Sequence, residues 1–133
     1  MILINKNLKK LMKTLMLNRT KKFALDCWFA CSKLPNSREY NAFVSQLIRS
    51  SSSVGANYRA AQRAKSSKDF INKLKIVEEE VDESKYFLEL LSEIEKINKN
   101  ENSQLEVLIK EADELTAIVV SSLKTARKNN PKN

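Results

Sequence analysis

Apolar side chains recur at intervals of three and four residues in four successive stretches of this chain, and any fold must satisfy that spacing. A 3.6-residue period gathers such positions on one helical face, whereas a half-buried strand requires strict alternation. In residues 19–34 the stripe is Phe23, Cys27, Ala30 and Leu34. In 38–65 it is Tyr40, Phe43, Leu47, Val54, Tyr58 and Ala61. In 67–97 it is Phe70, Leu74, Val77, Val81, Ser84, Leu88 and Leu91, a heptad-like seam that favours nearly antiparallel packing. In 104–127 it is Leu105, Leu108, Ala112, Leu115, Val119, Leu123 and Ala126. Only one Gly and two Pro occur in 133 residues, too few for the turns of a hairpin-rich β fold. The expected fold is all-α, an antiparallel up-down four-helix bundle over residues 19–128.

Polar punctuation sets the helix ends. Pro35-Asn36-Ser37 reads as a loop, Ser66 with Asp69 as a capped helix start, and residues 98–102 as a second loop. Ser103 with Glu106 has the spacing of a capping box. Residues 129–133 are expected to be a loose tail. Residues 1–18 form a basic amphipathic N-terminal extension, with Leu8, Leu11, Met12, Leu15 and Met16 against Lys9, Lys10 and Lys13. It is either an arm or a continuation of the first helix. Gly55 lies inside the second helix, where Gly costs about 1 kcal/mol relative to Ala, and reads as a point of close helix approach. Beside it, Gln46, Ser50, Ser53, Asn57 and Ala64 make a narrow strip of mostly small or polar groups.

The charge is lopsided. The chain carries a net +8, with eight basic and one acidic side chain in residues 1–35 but six basic and ten acidic in 66–101. A cationic half suits a phosphate backbone or another anionic surface. The candidate phosphate contacts are Arg38, Arg49, Arg59 and Arg63 on the side of the second helix away from the core. Lys6, Lys9, Lys10, Lys13, Lys21 and Lys22 precede them. Arg49 has two readings: it faces phosphate, or it pairs internally with a carboxylate of the third helix such as Glu79 or Asp82. Leu25, Trp28 and Phe29 point away from the first helix's core stripe. They read as a subunit contact of a homo-oligomer, or as the far side of a deeply buried helix.

The residue inventory argues against an enzyme. There is no His, so the usual neutral-pH base is missing, and no zinc set can be made from two cysteines alone. Glu79 and Glu83 share a helical face, but a di-metal bundle site also requires histidines. The lone Gly builds no phosphate-binding loop. No catalytic residue, metal or cofactor is expected. Cys27 and Cys31 stand four apart on one helix, poor geometry for a disulfide, and read as buried thiols in a reducing cytoplasm. No apolar run of membrane-spanning length occurs, and lysines interrupt the N-terminal apolar stretch, so neither a membrane partner nor a signal peptide is expected.

Five stretches in order resemble a known family. They are Arg19-Thr-Lys-Lys-Phe-Ala-Leu25; Gln46-Leu-Ile-Arg49-Ser50-x-x-Ser53-Val54-x-Ala56-Asn57-Tyr58-Arg59-x-Ala61; Asp69-Phe70-Ile-x-Lys73-Leu74; Glu79-x-x-Asp82-Glu83-Ser84 with Tyr86-x-Leu88-Glu89-Leu90-Leu91; and Glu111-Ala-Asp-Glu-Leu-Thr-Ala-Ile118. Together they are similar to the four-helix-bundle proteins of the 23S ribosomal RNA intervening sequence. A relative of that fold is the accessory variability determinant of diversity-generating retroelements, which forms a basic pentameric ring and binds nucleic acid and a reverse transcriptase. The resemblance therefore implies a homo-oligomer, a pentameric ring, and nucleic-acid binding. Ala60, Lys75, Glu78 and Phe87 depart from the family pattern. Two functions follow as expectations: a nucleic-acid-binding accessory protein, RNA before DNA, or a protein-interaction scaffold for a partner such as a reverse transcriptase.

Overall fold

A computed structural model describes residues 2–130. Four helices follow one another: α1 (Ile2–Ser32), α2 (Arg38–Gln62), α3 (Ser67–Ile97) and α4 (Ser103–Asn129). Among the described residues there is no strand.

The starts of α2, α3 and α4 are each set by a side-chain cap that occupies an otherwise unpaired amide. Ser37 accepts from the Tyr40 N–H at 3.1 Å, Ser66 from the Asp69 N–H at 3.0 Å, and Asn102 from the Leu105 N–H at 3.3 Å. The capping box expected at Ser103 is therefore displaced by one residue. Asn102 holds the amide, and Glu106 reaches across to the Ser92 hydroxyl (2.7 Å) and Lys96 (2.9 Å) instead. Helix α3 ends with the Asn100 N–H on the Glu95 carbonyl (2.8 Å) and the Lys99 N–H on the Lys96 carbonyl (3.0 Å). This closing turn places Lys99 at φ 59°, a left-handed position where Gly is usual.

Helix α1 is continuous from Ile2, so residues 2–18 are a continuation of the first helix rather than a separate arm. Nothing between Ile2 and Ser32 breaks a helix, and Leu, Lys and Met propagate one. Met16 is 6% exposed within the core and Leu17 packs against it, so the core begins before Arg19. Helix α2 closes at Gln62, short of the expected residue 65, with Arg63 as its cap. Helix α4 runs through Asn129; of the expected tail, residues 131–133 lie outside those described.

Helix α1 touches α2, α2 touches α3, α3 touches α4, and α4 touches α1, while among the described residues neither diagonal pair brings its backbones close. The thinnest of these seams is α1 on α4. The core seen in the periodicity is the core observed: Phe23, Leu47, Val54, Leu74, Val81, Leu88, Leu105, Leu115 and Val119 are at most 1% exposed. Full burial of each such side chain stabilises by roughly 1.5–3 kcal/mol. At the head of the α3 seam Ile71 is buried, and Phe70 packs half-buried beside it. At the α2–α3 seam Ser50 and Ser84 are fully buried with their hydroxyls 2.9 Å apart. Two small side chains facing each other let the helices approach and still satisfy both hydroxyls.

Candidate nucleic-acid interface

The basic residues divide according to whether a carboxylate already holds them. Arg49 is held. Its guanidinium donates to Glu83 and, at 3.3 Å, to Glu80, and those carboxylates raise its pKa, the Glu83 hydrogen bond most. The internal reading of Arg49 is the observed one, but its partners are Glu80 and Glu83 rather than Glu79 or Asp82. Glu79 and Asp82 lie on the solvent strip of α3, while Glu80 and Glu83 flank the α2 seam. Lys22 is paired with Asp26 one turn along α1, which raises its pKa. Arg38 lies at the far end of α2 beside Glu39 (3.4 Å), about 31 Å along the axis from Arg59 at 1.5 Å per residue.

Four of the remaining cations converge. Lys13 and Lys21 of α1, with Arg59 and Arg63 at the C-terminal end of α2, line one groove of about 580 Å³. Its lining includes the small residues Thr20, Ala24, Ser52, Gly55 and Ala56. Close approach explains that choice. A Cβ built on Gly55 would stand 3.5 Å from the Thr20 backbone, ordinary contact distance. The buried Thr20 hydroxyl is itself satisfied by the Met16 carbonyl at 2.8 Å. Among the described residues, none of Lys13, Lys21, Arg59 and Arg63 forms an ion pair. Lys9 lines the adjoining groove at the end of the bundle, and Lys65, which is not among the cations expected from sequence, joins it there. Lys10 is exposed but lines neither groove. Lys6 is likewise exposed and outside both.

Leu25, Trp28 and Phe29 are 51%, 53% and 54% exposed, which excludes the deeply buried reading of α1 within one chain. The Trp28 and Phe29 rings meet edge to face with centroids 5.2 Å apart. Cys27 and Cys31 are free and buried, and burial pushes their thiols up to about 12 and about 11. Among the described residues no group of three or more His, Cys, Asp or Glu is placed to hold a metal ion. No helix is long and apolar enough to cross a membrane among the residues described.

A second ionic feature was missed in sequence. Arg19 reaches Glu111 with two hydrogen bonds, 2.7 and 2.8 Å, and Glu114 at 2.9 Å. All three residues lie inside the stretches that carry the family resemblance, yet no helical spacing links positions on the first and fourth helices. Residues 12–120 match the family model of the 23S rRNA-intervening sequence protein. The chain belongs to that family. The matched span starts inside the stretch read as an extension, in agreement with the burial of Met16. A crystal structure of a protein of unknown function from the S23 ribosomal protein family of Bacteroides thetaiotaomicron is similar to this family member, with 32% identity and a TM-score of 0.73. The match covers 82% of this chain and 98% of that one. No curated protein matches.

Proposed function

We propose that this protein is a non-enzymatic RNA-binding accessory protein that grips the phosphate backbone in the groove between α1 and α2. One observation carries the reading: Lys13, Lys21, Arg59 and Arg63 surround a single groove with no carboxylate paired to any of them among the described residues. Four unneutralised cations around one concavity form an anion site whose strength comes from counterion release. The family's link to the 23S rRNA intervening sequence favours RNA over DNA.

The antiparallel up-down course is supported by where α2 meets α3. Tyr40 at the start of α2 bonds Glu95 near the end of α3, at 2.9 Å, while Ser50 meets Ser84. Copies of the chain associate through Leu25, Trp28 and Phe29, an exposed apolar cluster beside the α1 core stripe; a pentameric ring is the assembly that the family resemblance implies. The work takes place in the cytoplasm, where two unpaired buried thiols persist.

The test is an RNA-binding titration across salt. For four contacts to a single strand, log affinity falls against log salt with a slope of about −3. Arg59→Ala combined with Arg63→Ala lowers affinity across all sequences and reduces the slope magnitude by about 1.4. No binding at low salt overturns the reading. Co-purification from cells of a protein such as a reverse transcriptase, without RNA, would favour instead the scaffold reading, for which the same apolar cluster is the docking surface.

A further inference from the structure

A second groove, of about 920 Å³, opens where α1 passes the end of α2, the start of α3 and the end of α4. Lys13 and Gln62 line both grooves, so the two are continuous. Their walls differ in kind. The α1–α2 groove offers cations over small residues and no aromatic ring. The end groove adds Tyr58 and Phe70, together with neutral hydrogen-bonding groups such as Ser122, Thr125 and Asn129, and Lys9 and Lys65.

Tyr58 is only 8% exposed, and among the described residues its hydroxyl makes no hydrogen bond within the bundle. No enclosed side-chain polar atom in the described bundle lacks a partner, so that hydroxyl is not fully enclosed, and Tyr58 lines the groove. Phe70 is half-buried, with part of its side chain left uncovered. Aromatic surface, neutral donors and acceptors, and flanking cations in one concavity are the chemistry that receives an unstacked base and its phosphates.

We propose that the end groove takes one unpaired nucleotide of an RNA strand whose phosphates run along the α1–α2 groove, so that the protein selects single-stranded over duplex RNA. The inference rests on the phosphate-groove reading and narrows its ligand. A paired duplex keeps its base faces stacked and offers no open face to Phe70. The α1–α2 groove alone would not discriminate, because phosphates are common to both forms.

The experiment uses the full chain and fluorescence anisotropy at low salt. The probes are a short labelled RNA strand and a blunt RNA duplex of the same length. The single strand binds about tenfold more tightly, the scale of one base stacked on an aromatic ring. Phe70→Leu keeps apolar bulk but removes the ring, and brings the two affinities to within about threefold. Tyr58→Phe removes only a hydroxyl and weakens the single strand by about threefold. This second variant decides the matter if circular dichroism shows Phe70→Leu to be unfolded. Equal affinity of the wild-type chain for strand and duplex overturns the base site while leaving the phosphate groove standing. Failure of both RNAs to bind at low salt overturns the two together.

Discussion

Arg19 clasps Glu111 through both carboxylate oxygens, at 2.7 and 2.8 Å, and so ties α1 to α4 along the thinnest seam of the bundle. The Arg19 hydrogen bond holds the Glu111 carboxyl below its ordinary range, more than offsetting the opposing effect of burial. A carboxyl depressed in the folded state stabilises fully above its unfolded value of about 4.3 and loses that contribution as pH falls through the lower folded value. Both side chains are partly exposed, at 36% and 24%, so solvent screening limits the pair to about 1 kcal/mol despite its bidentate form. Arg19→Ala therefore lowers stability to urea at neutral pH by about that amount. The wild-type and variant curves converge in acid, well below pH of about 4.3. Urea midpoints measured at the two pH values check this.

Assembly can be read from the lone Trp. Trp28 is 53% exposed in the single chain, next to Leu25 and Phe29. If copies meet through this cluster, tryptophan emission shifts to the blue as protein concentration rises. The replacement Leu25→Glu lowers the mass seen by light scattering, since a charge buried without a partner in the contact is costly. An unchanged mass with a helical spectrum would place the contact elsewhere.

Gly55 fits closely, yet the space above it admits a methyl. Its added Cβ would meet Thr20 at 3.5 Å, a normal contact, and its backbone is ordinary helix. Gly55→Ala thus recovers helix propensity of about 0.8–1 kcal/mol with little steric cost. Thermal unfolding should show a stabilised variant; a destabilised one would mean that α1 and α2 cannot yield even slightly at Thr20.

Lys99 is the opposite case, a side chain where Gly would fit better. Its φ of 59° lies where a side chain clashes with the following carbonyl, a cost of roughly 1–2 kcal/mol. Lys99→Gly relieves that clash while keeping the Asn100-to-Glu95 and Lys99-to-Lys96 backbone bonds. A gain of about 1 kcal/mol in chemical denaturation is expected.

Buried thiols provide a separate check on core integrity. Burial raises Cys27 to about 12 and Cys31 to about 11, so neither is a thiolate at neutral pH. Thiol reagents are expected to modify both residues only when the chain opens, and the modification rate reports local unfolding of α1. Fast labelling of the native protein would contradict the packing of Phe23, Cys27 and Ala30.

The periodicity read in sequence located four helices and most of the buried positions, because burial in a bundle follows a local rule. A residue's place on the 3.6 period depends on its neighbours in the chain alone. Phe23, Leu47, Leu74 and Leu115 were placed this way, and all are buried. The family was carried by five ordered stretches, and the match over residues 12–120 is consistent with them. Boundaries were less faithful. Asn102 rather than Ser103 became the cap, since both can accept an amide bond and only backbone geometry selects one.

Charge placement does not follow from position along the chain. Arg38, Arg49, Arg59 and Arg63 look alike along one helix, yet only the last two reach a shared groove with Lys13 and Lys21. Arg49 is claimed by Glu80 and Glu83 from a helix 31 and 34 residues away, and Arg19 by Glu111 from 92 away. The order of amino acids dictated which faces turn inward, since that follows from spacing. Which cations remain free depended on the rotation of each helix against its neighbours. Pairing between charges is fixed by distance in space, which spacing along a chain does not encode.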